Sequence, residues 1–166
     1  MMIAFQTFAG FNYGAQRYER VIQVLKVALL LSTAYALIWS LVMVFGSHHL
    51  FQLFSQDQAL IQAAADIASI VFIGFITVGI SMICPALFQA LGFAGPAILL
   101  NTLHNYILLL PILWSLSTLY GVTGIWWSFP VIDTISAIVI VVYTGYFIKK
   151  SYLSQHDIRA TRANID

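Results

Sequence analysis

Asp133 sits well inside an uncharged apolar run, residues 121–148. A carboxylate held at the centre of a bilayer costs about 2.5–3.5 kcal/mol on insertion scales, so it must face protein or water rather than lipid tails. Helical spacing puts Trp126, Asp133, Ser136, Ile140 and Tyr143 on one face, which predicts that this face turns into a bundle. Two chemistries fit such a residue. It can bind a proton or a cation in exchange for one another. It can also stay protonated and donate a hydrogen bond that holds two helices together.

A second polar stripe occupies the preceding apolar run, with Asn101, His104, Asn105 and Ser115 at helical spacing. Amides gain nothing from lipid, so this stripe is also predicted to turn inward. His104 titrates near neutrality when unperturbed, which allows a pH-sensitive role as well as a plain interhelical hydrogen bond. Thr77, Ser81 and Cys84 form a third stripe, followed by Pro85 and Gln89; this pattern reads as packing and kink geometry. Pro111 is expected to kink its own helix.

Other chemistries are not supported. The chain has no Walker-type glycine loop, no G-x-S-x-G and no H-E-x-x-H, so no enzyme and no cofactor is expected. Gly10 and Gly14 flank Asn12 and Tyr13 in an elbow, which is no phosphate cradle. His48 and His49 are neighbours, and adjacent helical side chains diverge by about 100°, so no metal site is expected there. The single cysteine, Cys84, excludes an intrachain disulfide. A net charge of +1 gives no footprint for nucleic acid.

The elements that position these residues follow from composition. Of the 166 residues, 61% are hydrophobic and 8% are charged, against about 45–50% and about 25% in a soluble domain. Lipid is therefore the expected partner of most of the surface. Apolar runs over about 21–46, 67–91, 97–119 and 121–148 each exceed the roughly 20 residues that cross a hydrocarbon core. Helix is the expected form, because lipid offers the backbone no hydrogen-bond partner. Residues 1–15 read as a partial helix, too short to span and without a signal peptide's basic leader. The fold class is thus an all-α integral membrane protein, with four full transmembrane helices and a partial N-terminal helix. Ser55 and Gln58 read as a capping box for the second span. Pro96 is placed to open the third, and 149–166 reads as a polar tail.

All seven Lys and Arg fall in two zones: Arg17, Arg20 and Lys26, then Lys149, Lys150, Arg159 and Arg162. Four crossings separate the zones, so both lie on one side, and the positive-inside rule makes that side the cytoplasm. The stretch GFNYGAQRYERV (10–21) is then a cytoplasmic elbow between two helices. Trp126 and Trp127 fit an outer aromatic belt, and other aromatic rings could stack on flat cations.

Three stretches carry a resemblance. GFNYGAQRYERV, PALFQALGFAG (85–95) and GVTGIWWSFPVID (121–133) resemble, in order, motifs of the multidrug and toxic compound extrusion (MATE) family. The elbow residues concerned are Gly10, Asn12, Tyr13, Gly14, Arg17 and Arg20. The resemblance implies the end of helix 8 and helices 9 to 12 of a twelve-helix transporter, most of its C-terminal lobe. It implies efflux of organic, often cationic, molecules driven by a proton or sodium gradient, with membrane lipid, a missing N-terminal lobe and small organic substrates as partners. Such a part is expected to be inactive alone. Within it Asp133, Asn101, His104 and Asn105 are the candidates for substrate or coupling ion. The chain departs from the family's pattern at His104, where the resemblance implies Arg, and at Ile80 and Ser81, where one branch carries an acidic cation ligand. A flippase for lipid-linked sugars, which calls for a more basic cavity, and a non-transporting scaffold, which needs no buried carboxylate, are the alternatives. A bacterial inner-membrane location, with the C-terminus in the cytoplasm, completes the expectation.

Overall fold

The computed structural model describes residues 2–163, with 151–163 as backbone only; Met1 and 164–166 lie outside the described residues. The chain is helical almost throughout. It runs α1 (Met2–Gly14), α2 (Tyr18–Gln52), α3 (Gln58–Gly74), a 3₁₀ turn (Phe75–Thr77), α4 (Val78–Ala90), α5 (Ala94–Thr102), a π segment (Leu103–Leu108) and α6 (Leu109–Ala163). Three stretches are long and apolar enough to cross a membrane: Tyr18–Gln52, Gln58–Ala90 and Ala94–Lys150.

The third stretch contains both of the last two runs. Gly121, with φ 61° and ψ −140°, breaks α6, a conformation open to glycine and strained for other residues. A Cβ on Gly124 would overlap the carbonyl of Leu116, which requires the chain to double back. Its arms then run antiparallel. Phe93 packs edge-on against Phe147 at 5.0 Å, Leu100 shares a core cluster with Ile140, and His104 reaches Ser136.

Helices in this fold reach past the apolar runs. α2 begins at Tyr18 and ends at Gln52, and α3 begins at Gln58, so the expected 46–58 loop shrinks to a few residues. Hydropathy marks what sits in hydrocarbon, whereas helical hydrogen bonding continues into the interface. The cap also differs from the expected one. Asp57, not Ser55, caps α3 by accepting from the amides of Ala59 at 2.9 Å and Leu60 at 3.4 Å. Ser55 accepts from the Asp57 amide at 3.1 Å instead. Pro96 lies in the first turn of α5, where its missing N–H has no intrahelical acceptor to leave empty. The expected polar tail begins on described residues, where the α6 backbone stays helical to Ala163; its last three residues lie outside them.

Close approach of backbones holds α2 to α3 and α4. The buried side of α2 carries Ala28, Ala36, Ser40 and Ser47, small residues of the kind that let membrane helices touch. Ser40 donates to the Phe72 carbonyl at 2.6 Å, Ser47 to Ala65 at 3.5 Å and, in return, Ser69 to Val44 at 3.4 Å. Such interhelical bonds average about 0.6 kcal/mol in a membrane, so shape matters more than any one of them. A larger cluster fills the space between α1, α2 and α4, built from Phe5, Ala9, Val21, Leu25, Ala86 and Leu87. Large apolar side chains such as Leu30, Phe45 and Trp114 lie exposed on the outer faces, as a lipid solvent requires.

Gly79 marks the tightest α2–α4 contact, where a Cβ would stand 2.8 Å from Ser32 Oγ and 3.0 Å from the Ser32 carbonyl carbon and the Thr33 nitrogen. Two of these atoms are backbone and cannot swing away. Gly79→Val should cost about 1–3 kcal/mol, the usual range for overpacking, and lower the melting temperature in detergent. Gly145, which has nothing within 4 Å, is the control. Equal melting of Gly79→Val and Gly145→Val would refute the contact.

Candidate functional site

The two helical irregularities meet at Asp133. The α3–α4 rod breaks at the 3₁₀ turn Phe75–Thr77, where Thr77 Oγ donates to the Gly74 carbonyl at 2.9 Å. The α5–α6 rod breaks at the π segment, which contains His104 and Asn105. A π segment admits an extra residue per turn and re-aims the side chains beside it. It ends shortly before Pro111, which cannot donate to the carbonyl four residues back. The expected irregularity is thus a π segment preceding the proline.

Gly74 makes room for the carboxylate. A Cβ there would lie 2.5 Å from Pro130 Cα and 3.0 Å from Asp133 Oδ2. From the other side, His104 Nε2 stands 3.8 Å from Asp133 Oδ1, and both side chains are largely buried. Among the described residues this is the one pairing of opposite ionisable groups within reach of an ion pair. His104 Nδ1 lies 2.8 Å from Ser136 Oγ. The face predicted for residues 126–143 therefore turns inward at its centre, with Ser136 and Ile140 buried and Asp133 half-buried beside them.

The stripe on the preceding run behaves differently from its expectation. His104 alone packs inward. Asn101 and Asn105 are exposed, and their amides donate to carbonyls of their own helix, Ala97 at 3.0 Å and Asn101 at 2.9 Å. Ser115 does the same with Pro111 at 2.7 Å. The amides still share one space with His104. A cavity of about 200 Å³ is lined by Asn101, His104 and Asn105 on one side and by Ser81, Pro85 and Gln89 on the other, with the apolar Met2, Val78 and Met82 completing its wall. Ser81 Oγ is buried there with no hydrogen-bond partner, and Pro85 has no N–H for the Ser81 carbonyl. Sequence reasoning treated Ser81 as packing; the signal that marks it is the proline four residues on.

The elbow residues form a separate group. Asn12 is buried and donates to Phe8 O at 2.8 Å, and Gly10 lets α1 approach the Ala90 carbonyl, 3.0 Å from where a Cβ would stand. Gln6 donates to Gln89 at 2.8 Å across the same interface. Tyr13 packs edge-on with Tyr18 at 5.5 Å and Phe93 at 6.3 Å. Gly14, Arg17 and Arg20 are exposed. α1 ends in paired bonds, Arg17 N–H to Asn12 O and Gln16 N–H to Tyr13 O, both 2.9 Å. That is a Schellman ending, with Gln16 at φ 56° in the position glycine favours. His48 and His49 hold their rings nearly perpendicular, 6.0 Å apart, and among the described residues no three His, Cys, Asp or Glu side chains converge on a point.

The His104–Asp133 pair thus lies beside a cavity of mixed polar and apolar lining, in a bundle of long apolar helices with two irregular segments. The MatE family model matches residues 1–115. The chain belongs to the MATE family, a family of transporters and not of enzymes. It is similar to the multidrug export protein MepA of Staphylococcus aureus, 27% identical over 130 residues in strain N315, covering 78% of this chain and 28% of MepA. It is likewise similar to MepA of Staphylococcus saprophyticus, 25% identical over 129 residues with the same coverage. The fold matches the crystal structure of a mutant of the Vibrio cholerae MATE transporter VcmN with a TM-score of 0.83 and 21% identity, over 90% of this chain and 34% of that one. The chain thus spans little more than a quarter of the length of these curated MATE relatives.

Gln16 supplies a test of the elbow. A side chain at positive φ costs about 1–3 kcal/mol, most for β-branched residues. Gln16→Gly should leave stability unchanged or raised, and Gln16→Val should lower it by about 1–2 kcal/mol. Thermal unfolding in detergent reads the difference; a valine variant as stable as the glycine variant would refute the Schellman ending.

Proposed function

We propose that this chain is part of a cation-coupled antiporter that exports organic, often cationic, compounds, exchanging them for protons or sodium. The observation that carries the reading is the His104–Asp133 pair, 3.8 Å apart at the junction of two broken helices, in a chain of a transporter family. Asp133 and His104 are the coupling-ion candidates, and Asn101 and Asn105 offer polar contacts to a substrate at the cavity rim. The name of the similar MepA proteins, multidrug export protein, supports the substrate class.

In this reading residues 1–148 form part of the C-terminal lobe, with a partial helix and four crossings, the last two joined at Gly121. Residues 149–166 are a cytoplasmic tail, and the elbow faces the same side. The membrane is the bacterial cytoplasmic membrane. Alternating access needs two bundles that rock about a central site, so a second lobe supplies the other wall and the 166 residues do not transport alone.

Two measurements test this. Cells expressing only this chain should show ethidium efflux equal to empty vector. Co-expression with an N-terminal lobe from a MATE relative should restore efflux in the wild type, and Asp133→Asn should reduce it at least tenfold. Full efflux by the chain alone, or undiminished efflux with Asp133→Asn, would overturn the corresponding part.

A further inference from the structure

The hydroxyl of Ser136 has three neighbours and one hydrogen. It stands 2.7 Å from the Ile132 carbonyl, 3.1 Å from the Asp133 carbonyl and 2.8 Å from His104 Nδ1. The two carbonyls only accept, so the one hydrogen goes to them, shared or to the nearer. Were it turned to the imidazole, the Ile132 oxygen would face the hydroxyl oxygen at 2.7 Å with no hydrogen between them. Ser136 Oγ must then accept from His104, and the acceptor requires a hydrogen on Nδ1. Burial reinforces the arrangement, because Ser136 is fully enclosed and water offers no substitute.

We infer that Ser136 is a positioning residue: by accepting the Nδ1 hydrogen of His104 it fixes the ring's tautomer and turns Nε2, bare in the neutral ring, toward Asp133. In a neutral imidazole only one nitrogen carries hydrogen, and the second ring nitrogen takes its state from the bond the first one makes. With Nδ1 occupied, one proton can pass between Nε2 and Asp133 Oδ1, which stand at ion-pair distance, 3.8 Å, and longer than a hydrogen bond. It rests on the carboxyl as a neutral pair or on the ring as an ion pair, and the net charge is the same in both. The opposite tautomer would already place a hydrogen on Nε2, and the neutral ring could then take no proton from the Asp133 side. Among the described residues Asp133 is the one ionisable group within 4 Å of His104 of opposite potential charge, so it is the partner that exchanges. The tautomer follows from the geometry alone; its use in coupling rests on the antiport reading above.

Nitrogen NMR on the chain with ¹⁵N-labelled histidine in lipid bilayers separates the two. His104→Gln assigns the His104 ring signals. Nδ1 of His104 should carry hydrogen at every pH, with only Nε2 changing between bare and protonated. Ser136→Ala should move the neutral ring partly or wholly to the Nε2–H form, while Ser136→Thr, which keeps a hydroxyl, should leave the pattern as it is. A wild-type spectrum with Nδ1 bare and Nε2 protonated would overturn the inference without recourse to any variant, and so would a Ser136→Ala spectrum identical to wild type. Efflux in the co-expressed transporter is read separately. A correct tautomer with Asp133→Asn fully active would leave Ser136 as a positioning residue and remove the antiport reading instead.

Discussion

Hydrocarbon offers no partner to a polar group, and most of this structure follows from that. Hydroxyls and amides within the apolar runs are driven to find their acceptors inside the chain, and among the buried ones of the described residues only the hydroxyls of Ser81 and Thr144 go without one. Most find it on their own helix, three or four residues back: Thr7 on Ile3, Asn12 on Phe8, Ser32 on Leu29, Ser128 on Gly124, Thr134 on Pro130. Those bonds satisfy the side chain and join nothing. Few reach a second helix. The bundle is therefore held chiefly by shape, with Gly10, Gly74 and Gly79 each at a point where a side chain would strike a neighbouring element, and Gly124 where it would strike α6 itself across the break.

The same constraint explains why the irregular helices gather at Asp133. A complete helix has no spare backbone group in its interior. Prolines create one: Pro85, Pro111 and Pro130 each leave the carbonyl four residues earlier without its usual donor. A 3₁₀ turn on one side and a π segment on the other bend the two rods so that a glycine, a histidine and a carboxyl converge. An apolar interior tolerates that convergence because every member has a neighbour: the carboxyl lies beside His104, the imidazole on Ser136, the hydroxyl on Ile132. Remove any link and a polar group is stranded in a medium where stranding costs several kcal/mol.

Much of this was legible in the sequence, and the parts that were not have a common cause. Apolar length marked the spans, and the spacing of Asp133, Ser136 and Ile140 marked the inward face, because both depend on residue type and period alone. Helix ends were misread. Ser55 and Asp57 are equally good caps by type, and only the backbone decides which of them points at the free amides. Straight helical periodicity puts the Asn101 stripe uniformly inward; the π segment Leu103–Leu108 departs from that period, and His104 packs inward while Asn101, just before the segment, and Asn105 stay exposed. Gly74 gave no signal at all. Its role depends on Pro130 and Asp133, distant in the chain, coming within one side-chain length.

The distribution of cations at the ends of the bundle has a structural basis independent of the orientation rule. Tyr13 of the α1 elbow packs against Phe93, the residue that closes α4, and Phe93 packs against Phe147 near the end of the described side chains. α4 ends as α1 does, with Phe93 N–H bonded to Phe88 O at 2.8 Å, Gly92 N–H to Gln89 O at 3.1 Å, and Gly92 at φ 82°. Two Schellman endings thus lie side by side under a shared aromatic layer. Arg17, Arg20, Lys149 and Lys150 emerge exposed from that layer. The opposite end, where α2 meets α3 and α6 doubles back, holds Gly121, Gly124 and the short 53–57 connection and no Lys or Arg. One end of the bundle gathers exposed cations over an aromatic layer, and the other exposes Leu53, Phe54, Tyr120 and Val122 around its two turns. Whichever compartment it faces, the basic end is one surface, made so by the aromatic contacts that bring three chain segments together.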